Sequence, residues 1–419
     1  VIAKNNKIKI QPSLIVLGKN RLQAQGTLGK TLNLNWDAAI QQLNVFDKQA
    51  TGQILSKGTV TGSAKQPKLQ GNINITSLKL LGLTVKSFAA QANADFYQAQ
   101  PSLISIQGKN IAYQNFHADS LNLSLAGNNK QQTGKFSMLS PHGNLTFDLN
   151  TQMIKNKLHG SVTRLDFISK LFGTWHLKAP TKFTVDKQHF TLSPFCWSSK
   201  HGSVCGDGFF HSAQKWAAKL NIHQLNLGMF QNLLPENIRF NGNLNTKIDL
   251  KTNKKSEIRG HAIVNLTQAN LGLKAANKIK TIRFINSYLK ANISKKGLVS
   301  EININDAQHL FPLKATLNLP NYTGKGLPAI SSRLQGTFYL KWPSLAFLNG
   351  FIPDTTNLNG QVNANVKIQG DIESPKVQGS FSLNNVTAKL EKFGINITRS
   401  NFTASAKGTN KVDLKGQFN

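Results

Sequence analysis

"QVNANVKIQG", from Gln361 to Gly370, places Val362, Ala364, Val366 and Ile368 on one side and Asn363, Asn365, Lys367 and Gln369 on the other. Strict period-two alternation is the signature of a β-strand with one apolar and one wet face, because successive side chains point to opposite sides of a sheet. The pattern recurs along the chain. "NLNTKIDLK" sets Leu244, Thr246, Ile248 and Leu250 against Asn243, Asn245, Lys247 and Asp249. Shorter versions carry Ile73 and Ile75; Leu121, Leu123 and Leu125; Leu145, Phe147 and Leu149; Ile302 and Ile304; and Ala315, Leu317 and Leu319. Glycine- or Asn-rich turns separate these runs, so the reading is a mainly β chain. Helical spacing occurs in short pieces only: "NWDAAIQQLNVF" (Trp36, Ile40, Leu43), "LGMFQNLLP" (Leu227, Phe230, Leu234), "PSLAFLNGFIP" (Leu345, Leu348, Ile352) and, more weakly, "LDFISKLF". These predict a few short amphipathic helices, too short to stand without packing on a sheet.

The strand at Gln361 runs into "GDIESPKVQGSFSLNNVTAKLEKFG" (Gly370–Gly394), and a counterpart lies far upstream in "GSAKQPKLQGNINITSLKLLG" (Gly62–Gly82). Gly62, Pro67 and Gly71 match Gly370, Pro375 and Gly379 at a constant offset of 308 residues, as Gln53 and Gln70 match Gln361 and Gln378. "LPENIRFNGNL" (Leu234–Leu244) and "IPDTTNLNGQV" (Ile352–Val362) repeat a second phrase, and Gly52 falls where Gly242 and Gly360 fall. "SEIRGHAIVNLTQANLG" (Ser256–Gly272) is a middle, proline-less version. The unit reads as short helix, turn, strand, turn, strand, strand, written over roughly 36–87, 225–276 and 342–400, within one continuous array over 1–419. A repeat without a repeated polar cluster is structural: each copy has an apolar face that it cannot cover alone, and copies stack. The prolines and glycines of these phrases are read as turn residues.

Composition narrows the function. The 419 residues are 39% hydrophobic, enough to bury a core, while only 16% are charged, with Asn, Gln, Ser and Thr filling the remaining polar positions. The formal charge of +32 is almost all lysine, since arginine occurs only at 21, 164, 239, 259, 283, 333 and 399. A nucleic-acid reader concentrates Arg and aromatic residues on one element. Lysines spread along the whole length instead fit a solvated outer face that discourages edge-to-edge pairing, with attraction to anionic lipid head groups as the next reading. No stretch has the ~18 to 20 apolar residues that span a bilayer. The chain starts at Val1 without a basic-then-apolar leader, so it reads as a segment of a larger protein. The eighteen acids are scattered and the ten histidines form no pair of fixed spacing, which gives no convergent catalytic site, and no cofactor is expected.

The two cysteines, in "FCWSSKHGSVCGDGFF" (hairpin 190–211), lie symmetrically about Lys200–His201. A tight turn there opposes Cys196 and Cys205 within disulfide range. Two free thiols, or a metal site drawing on Cys196, His201, Cys205 and His211, are the alternatives, although that spacing matches no familiar zinc pattern. A disulfide implies an oxidising compartment.

The phrase P-[ED]-x-x-x-[FL]-N-G, the G-x-x-x-x-P-K-[LV]-Q-G turn and the alternating strands together resemble the TamB family, inner-membrane subunits of bacterial translocation and assembly modules within the AsmA-like group of bridge-like lipid transfer proteins. "TWHLKAPTKFTVDKQHFTLSPFCWSSKHGSVCGDGFF", with Trp175, the Cys196–Trp197 pair and Cys205, is similar to the paired-cysteine region of that family. The likeness extends across essentially the whole chain. It implies an elongated repetitive β-sheet curled into a taco- or gutter-like groove with an apolar interior. It also implies a periplasmic location in a Gram-negative bacterium, phospholipid acyl chains as cargo, an inner-membrane anchor outside these residues, and a TamA-like outer-membrane barrel as partner through regions outside them. Under that reading the groove is lined by Ile73, Ile75, Leu121, Leu123, Leu125, Leu145, Phe147, Leu149, Leu244, Ile248, Leu250, Ile302, Ile304, Leu317, Leu319, Val362, Val366 and Ile368. The competing expectation is a scaffold for outer-membrane protein or autotransporter assembly, offering sheet edges by β-augmentation. Nucleic acid is not an expected partner.

Overall fold

A computed structural model describes residues 2–4, 7–95, 101–155, 157–236, 238–275, 278–307, 312–349, 355–408 and 411–418. By compactness the chain divides into two units, 1–199 and 200–419. Each is an antiparallel meander in which a strand pairs with the next in sequence. The first runs from Ile2–Lys4 to Phe190–Ser199 and the second from Gly202–Ser212 to Val412–Gln417. One position is split. Lys157–Ser169 pairs with both Gly173–Leu177 and Thr181–Val185, and both of these pair onward with Phe190–Ser199. Pro180 lies in the gap and has no N–H to offer a ladder, so one strand is broken into two.

Two helical expectations are corrected. Trp36 and Ile40 belong to the strand Thr31–Ile40, and "LDFIS" belongs to the strand Lys157–Ser169. Residues four apart share a face on a strand as well as on a helix, so that spacing could not separate the two periods, and the ladders to neighbouring strands decided it. The connections that do coil are single 3₁₀ segments at Leu43–Val45, Leu227–Leu233 and Ala346–Leu348, with a fourth at Glu391–Phe393. Ile352 and Pro353 lie outside the described residues.

Each of the first three 3₁₀ links is fastened by one carboxamide. The Asn20 Oδ1 accepts from the amides of Gln41 and Gln42, both at 2.8 Å, and its Nδ2 donates to the Gln42 carbonyl. Gln231 donates to the Ile238 carbonyl (2.6 Å) and accepts from the Phe240 amide (3.1 Å). Asn349 makes the same two-way contact with the backbone of Leu358, at 2.8 Å in each direction. A planar amide that gives and takes a hydrogen bond satisfies two backbone groups that a chain leaving the sheet would otherwise strand.

Gly52, Gly242 and Gly360 share one conformation, with φ of 113°, 147° and 126°. The register shifts at each of them, and the residue facing them in the next strand (Ser77, Gln268 or Asn385) takes φ near 50°. A Cβ at these glycines would stand 2.7, 2.6 and 2.9 Å from the Cα of Leu78, Ala269 and Val386. Each is a β-bulge that only glycine can occupy, and a bulge bends its strand and raises the local twist.

The turn assignment holds for Gly62 with Pro67 and for Gly370 with Pro375, which pair across their hairpins. It is corrected for Gly71 and Gly379, which lie inside the strands Gln66–Leu80 and Pro375–Leu390. Both positions are small because something else occupies the space above the sheet or beside it. At Gly71 a Cβ would meet the Trp36 ring and the Lys57 carbonyl, and at Gly379 the Asn365 backbone.

Candidate functional site

Because the ladders are continuous within each unit, alternation along strands becomes rows across them. In the first unit one row reads Ile73, Ala90, Ile106, Leu123, Phe136, Phe147, Leu165. Beside it lies Ile40, Ile54, Ile75, Phe88, Gly108, Leu121, Met138, Leu145, Phe167, Trp175. On the other flank is Ile104, Leu125, Gly134, Leu149, Val162. In the second unit Thr246, Val264, Leu289, Ile302, Ala315, Phe338 and Val366 form one row, flanked by Ile304, Leu313, Leu340, Ala364 and Phe381, and by Leu317, Gly336, Ile368 and Val377. Ile248, Leu244 and Leu250 lie opposite Ala262, Leu266 and Gly260 on the same face, Leu319 opposite Leu298, and Val362 between Trp342 and Leu383. None of these positions carries a charge.

The reverse face is polar. In the first unit Asp37, Lys57, Asn72, Gln91, Ser105, Ser124, Lys135, Asp148 and Arg164 run in register. In the second, Lys247, Ile263, Lys290, Glu301, Thr316, Thr337, Lys367 and Gln378 do so, with Ile263 the aliphatic exception. Some of its charges pair locally. The Tyr288 hydroxyl donates to Glu301 (2.6 Å), which holds the phenol above its ordinary pKa, and the Lys290 ammonium stands 4.0 Å over the Tyr288 ring. Arg164 donates to Asp166, and this hydrogen bond raises the guanidinium pKa.

Among the described residues the apolar face has no second layer packed over most of it. Of the eighteen positions read as a lining, only Leu319 and Val362 are buried; Leu317 is exposed and the others are half-buried. The chain exposes 26570 Å² in all. Two compact globules of half its mass would together expose about 19,000 Å². The excess is what uncovered sheet faces produce.

Alternation alone missed several members of these rows. Phe136 and Met138 alternate with Lys135 and Ser137 and could have been found that way. Trp36 was hidden by its helical spacing. All five tryptophans share the apolar face: Trp36 opposite Gly58, Trp175 opposite Phe167, Trp197 opposite Leu177, Trp216 opposite Phe210 and Trp342 opposite Val362. Trp36 donates to the Ser56 hydroxyl and Trp197 to the Leu165 carbonyl, so these indoles present carbon to the face and satisfy their N–H within the protein.

Cys196 and Cys205 are disulfide-bonded. Cys196 neighbours the inward Trp197, and Cys205 pairs with Asn221, so both project from the polar face. With both sulfurs in the bond, the alternative metal site at Cys196, His201, Cys205 and His211 has no thiolate to offer.

This geometry defines a class: repetitive antiparallel sheets that present an uncharged, half-buried face backed by a polar one. The family model for the N-terminal domain of TamB matches residues 2–383, and the chain belongs to that family. Among curated relatives, the translocation and assembly module subunit TamB of Haemophilus influenzae is 19% identical over 410 residues, covering 96% of this chain and 31% of that protein. An uncharacterized protein of Buchnera aphidicola from Acyrthosiphon pisum is 23% identical over 388 residues, covering 89% of this chain and 37% of its own length. Another from the Schizaphis graminum symbiont is 21% identical over 414 residues (93% and 39%). The chain thus spans roughly a third of the length of these relatives. No solved structure matches it. Among the described residues no helix is long and apolar enough to cross a membrane.

Proposed function

We propose that the apolar face is a trough that holds phospholipid acyl chains, and that the chain serves as a periplasmic segment of a TamB-like protein in outer-membrane biogenesis, acting with a TamA-like barrel. One observation carries the reading: rows of aliphatic and aromatic side chains stay in register across many strands and are for the most part only half-buried. Closed cores bury such residues, whereas a face that accepts apolar cargo keeps them reachable. Each acyl CH₂ left in water costs about 0.8 kcal/mol, so a sixteen-carbon chain faces on the order of 12 kcal/mol without such a surface. Neighbouring rows of similar chemistry let a chain slide between near-equivalent positions while its head group stays outside. The disulfide agrees with an oxidising compartment.

The test places photo-crosslinkers in the full-length protein at Val366 and Ile248 on the apolar face and at Lys367 and Lys247 on the polar one. Phospholipid captured at the first pair only is the expected result, and Val366→Asp should abolish lipid transfer while Lys367→Asp leaves it near normal, since passing chains must desolvate a buried charge. Equal capture on both faces, or normal transfer by Val366→Asp, removes the trough and leaves the β-augmentation scaffold as the better account.

A further inference from the structure

The two long sides of each sheet differ. On one side, the linker side, the 3₁₀ segments leave and return, and beside two of them the apolar face is covered. In the first unit Leu43 and Ala50 seal against Leu78 and Val85. In the second, Leu345 seals against Leu340, Leu358 and Val362. Among the described residues, every buried apolar side chain larger than alanine lies in the linker-side half of its strand or in a linker, except Leu319.

Among the described residues the opposite, hairpin side has no comparable cluster of buried apolar side chains, and its turns carry cations. Among the described residues of the first unit Lys30, Lys65, Lys130, Lys155 and Lys187 each stand in a different turn on this side, while the linker-side connections carry Lys19, Lys48 and Lys170 beside their apolar cover. The second unit continues the trend with Lys254, Lys255, Lys295 and Lys296. Acids on this side of the first unit are already neutralised: Asp95 lies 3.9 Å from Lys68, and Asp186 lies 3.3 Å from Lys157 and is hydrogen-bonded to His189.

We infer that a lipid seated in the trough lies with its tails toward the linker side and its head group at the lysine-tipped hairpin side, and that this edge favours head groups of net negative charge. The inference rests on the acyl-chain reading above. A tail of half the ~30 Å hydrocarbon core reaches about five residues into a strand at roughly 3.3 Å per residue, which from the hairpin side ends short of the sealed half. The head group cannot follow it onto the uncharged rows. The covered linker side leaves it one exit, and there lysines attract anionic phosphate with a strength that salt weakens.

The experiment uses full-length protein with a photo-crosslinker at Leu69, which faces Val60 and Ala94 on the apolar face near the hairpin side, vesicles of equimolar phosphatidylglycerol and phosphatidylethanolamine, and mass spectrometry of the captured lipid. Wild type should enrich phosphatidylglycerol about fivefold over its share of the vesicle. The combined Lys65→Glu, Lys130→Glu, Lys155→Glu and Lys187→Glu variant should return the ratio to about one while still capturing phosphatidylethanolamine. Four reversals on the polar face, Lys57→Glu, Lys109→Glu, Lys135→Glu and Lys182→Glu, should leave the enrichment in place. If the edge variant does not accumulate, the corresponding four Lys→Gln changes read the same ratio. No enrichment in wild type, or its loss to both variant sets alike, overturns the head-group edge while the trough stands. Absence of any lipid adduct at Leu69 in wild type instead defeats the trough.

Discussion

Two rows of the molecule occupy the same place in the repeat and solve it differently. In the first unit the row reads Trp36, Gly58, Gly71, Ala92; in the second it reads Phe338, Val366, Gly379, Ala406. Gly58 and Val366 stand at the repeat offset of 308, as do Gly71 and Gly379. A large indole over two glycines has been exchanged for a smaller ring beside a valine and one glycine. A Cβ at Gly58 would come within 2.6 Å of the Trp36 ring, which is why that strand cannot carry the second unit's valine. The backbone differs too, because Gly379 takes φ 126° whereas Gly71 is not among the positive-φ residues. What the repeat conserves is the smoothness of the row, with volume moved between neighbouring strands, and the bulge beside it. Identity at a given position is secondary.

The bulge is the shared element, so breaking it should have the largest effect and the same effect in both units. Gly52→Val and Gly360→Val should each cost about 3 kcal/mol, summing backbone strain and collision with the next strand. Denaturant unfolding of both variants checks this, and a cost under about 1 kcal/mol in one would show that the two bulges are not equivalent. Next in size is the disulfide, which belongs to neither row. Cys196→Ser with Cys205→Ser should lose about 2.5 kcal/mol through the unfolded chain while lipid capture at Leu69 persists, because both sulfurs sit on the polar face. Capture lost along with the disulfide would mean that the rows depend on that hairpin.

Exchange of volume predicts a coupling. Gly58→Val alone should cost about 2 kcal/mol by forcing the Trp36 ring aside, and adding Trp36→Phe should recover about half of it, whereas two independent sites would simply add. The smallest expected effect is a pH effect in the 186–189 turn. Hydrogen bonds from His189, then from the Gln188 amide, hold the Asp186 carboxyl well below the usual carboxylate range. A depressed folded pKa contributes stability that is present above the unfolded value, about 3.9, and is lost as pH falls through the folded one. Hydrogen exchange in this turn should therefore differ between wild type and Asp186→Asn at pH 5 and above, and the difference should shrink in strong acid. A difference that survives strong acid would assign the turn's order to its backbone alone.

The alternation of short apolar runs determined a great deal by itself. Val362 to Ile368, Leu244 to Leu250 and Leu145 to Leu149 could be placed on one face without coordinates, since side-chain direction on a strand has period two whatever the neighbours are. The lysines on the reverse face, the hairpin pairing of Gly62 with Pro67 and the opposition of Cys196 and Cys205 are local in the same sense. Tertiary structure alone decided what depends on register between strands distant in sequence. It moved Trp36 from a helix to a strand, because its spacing from Ile40 satisfies both periods and only the ladders to Arg21–Thr27 and Ile54–Ser63 distinguish them. It took Gly71 out of a turn and set it beneath an indole 35 residues away. It also separated the sealed linker side from the lysine-tipped hairpin side, a difference between the two ends of many strands that no single strand contains.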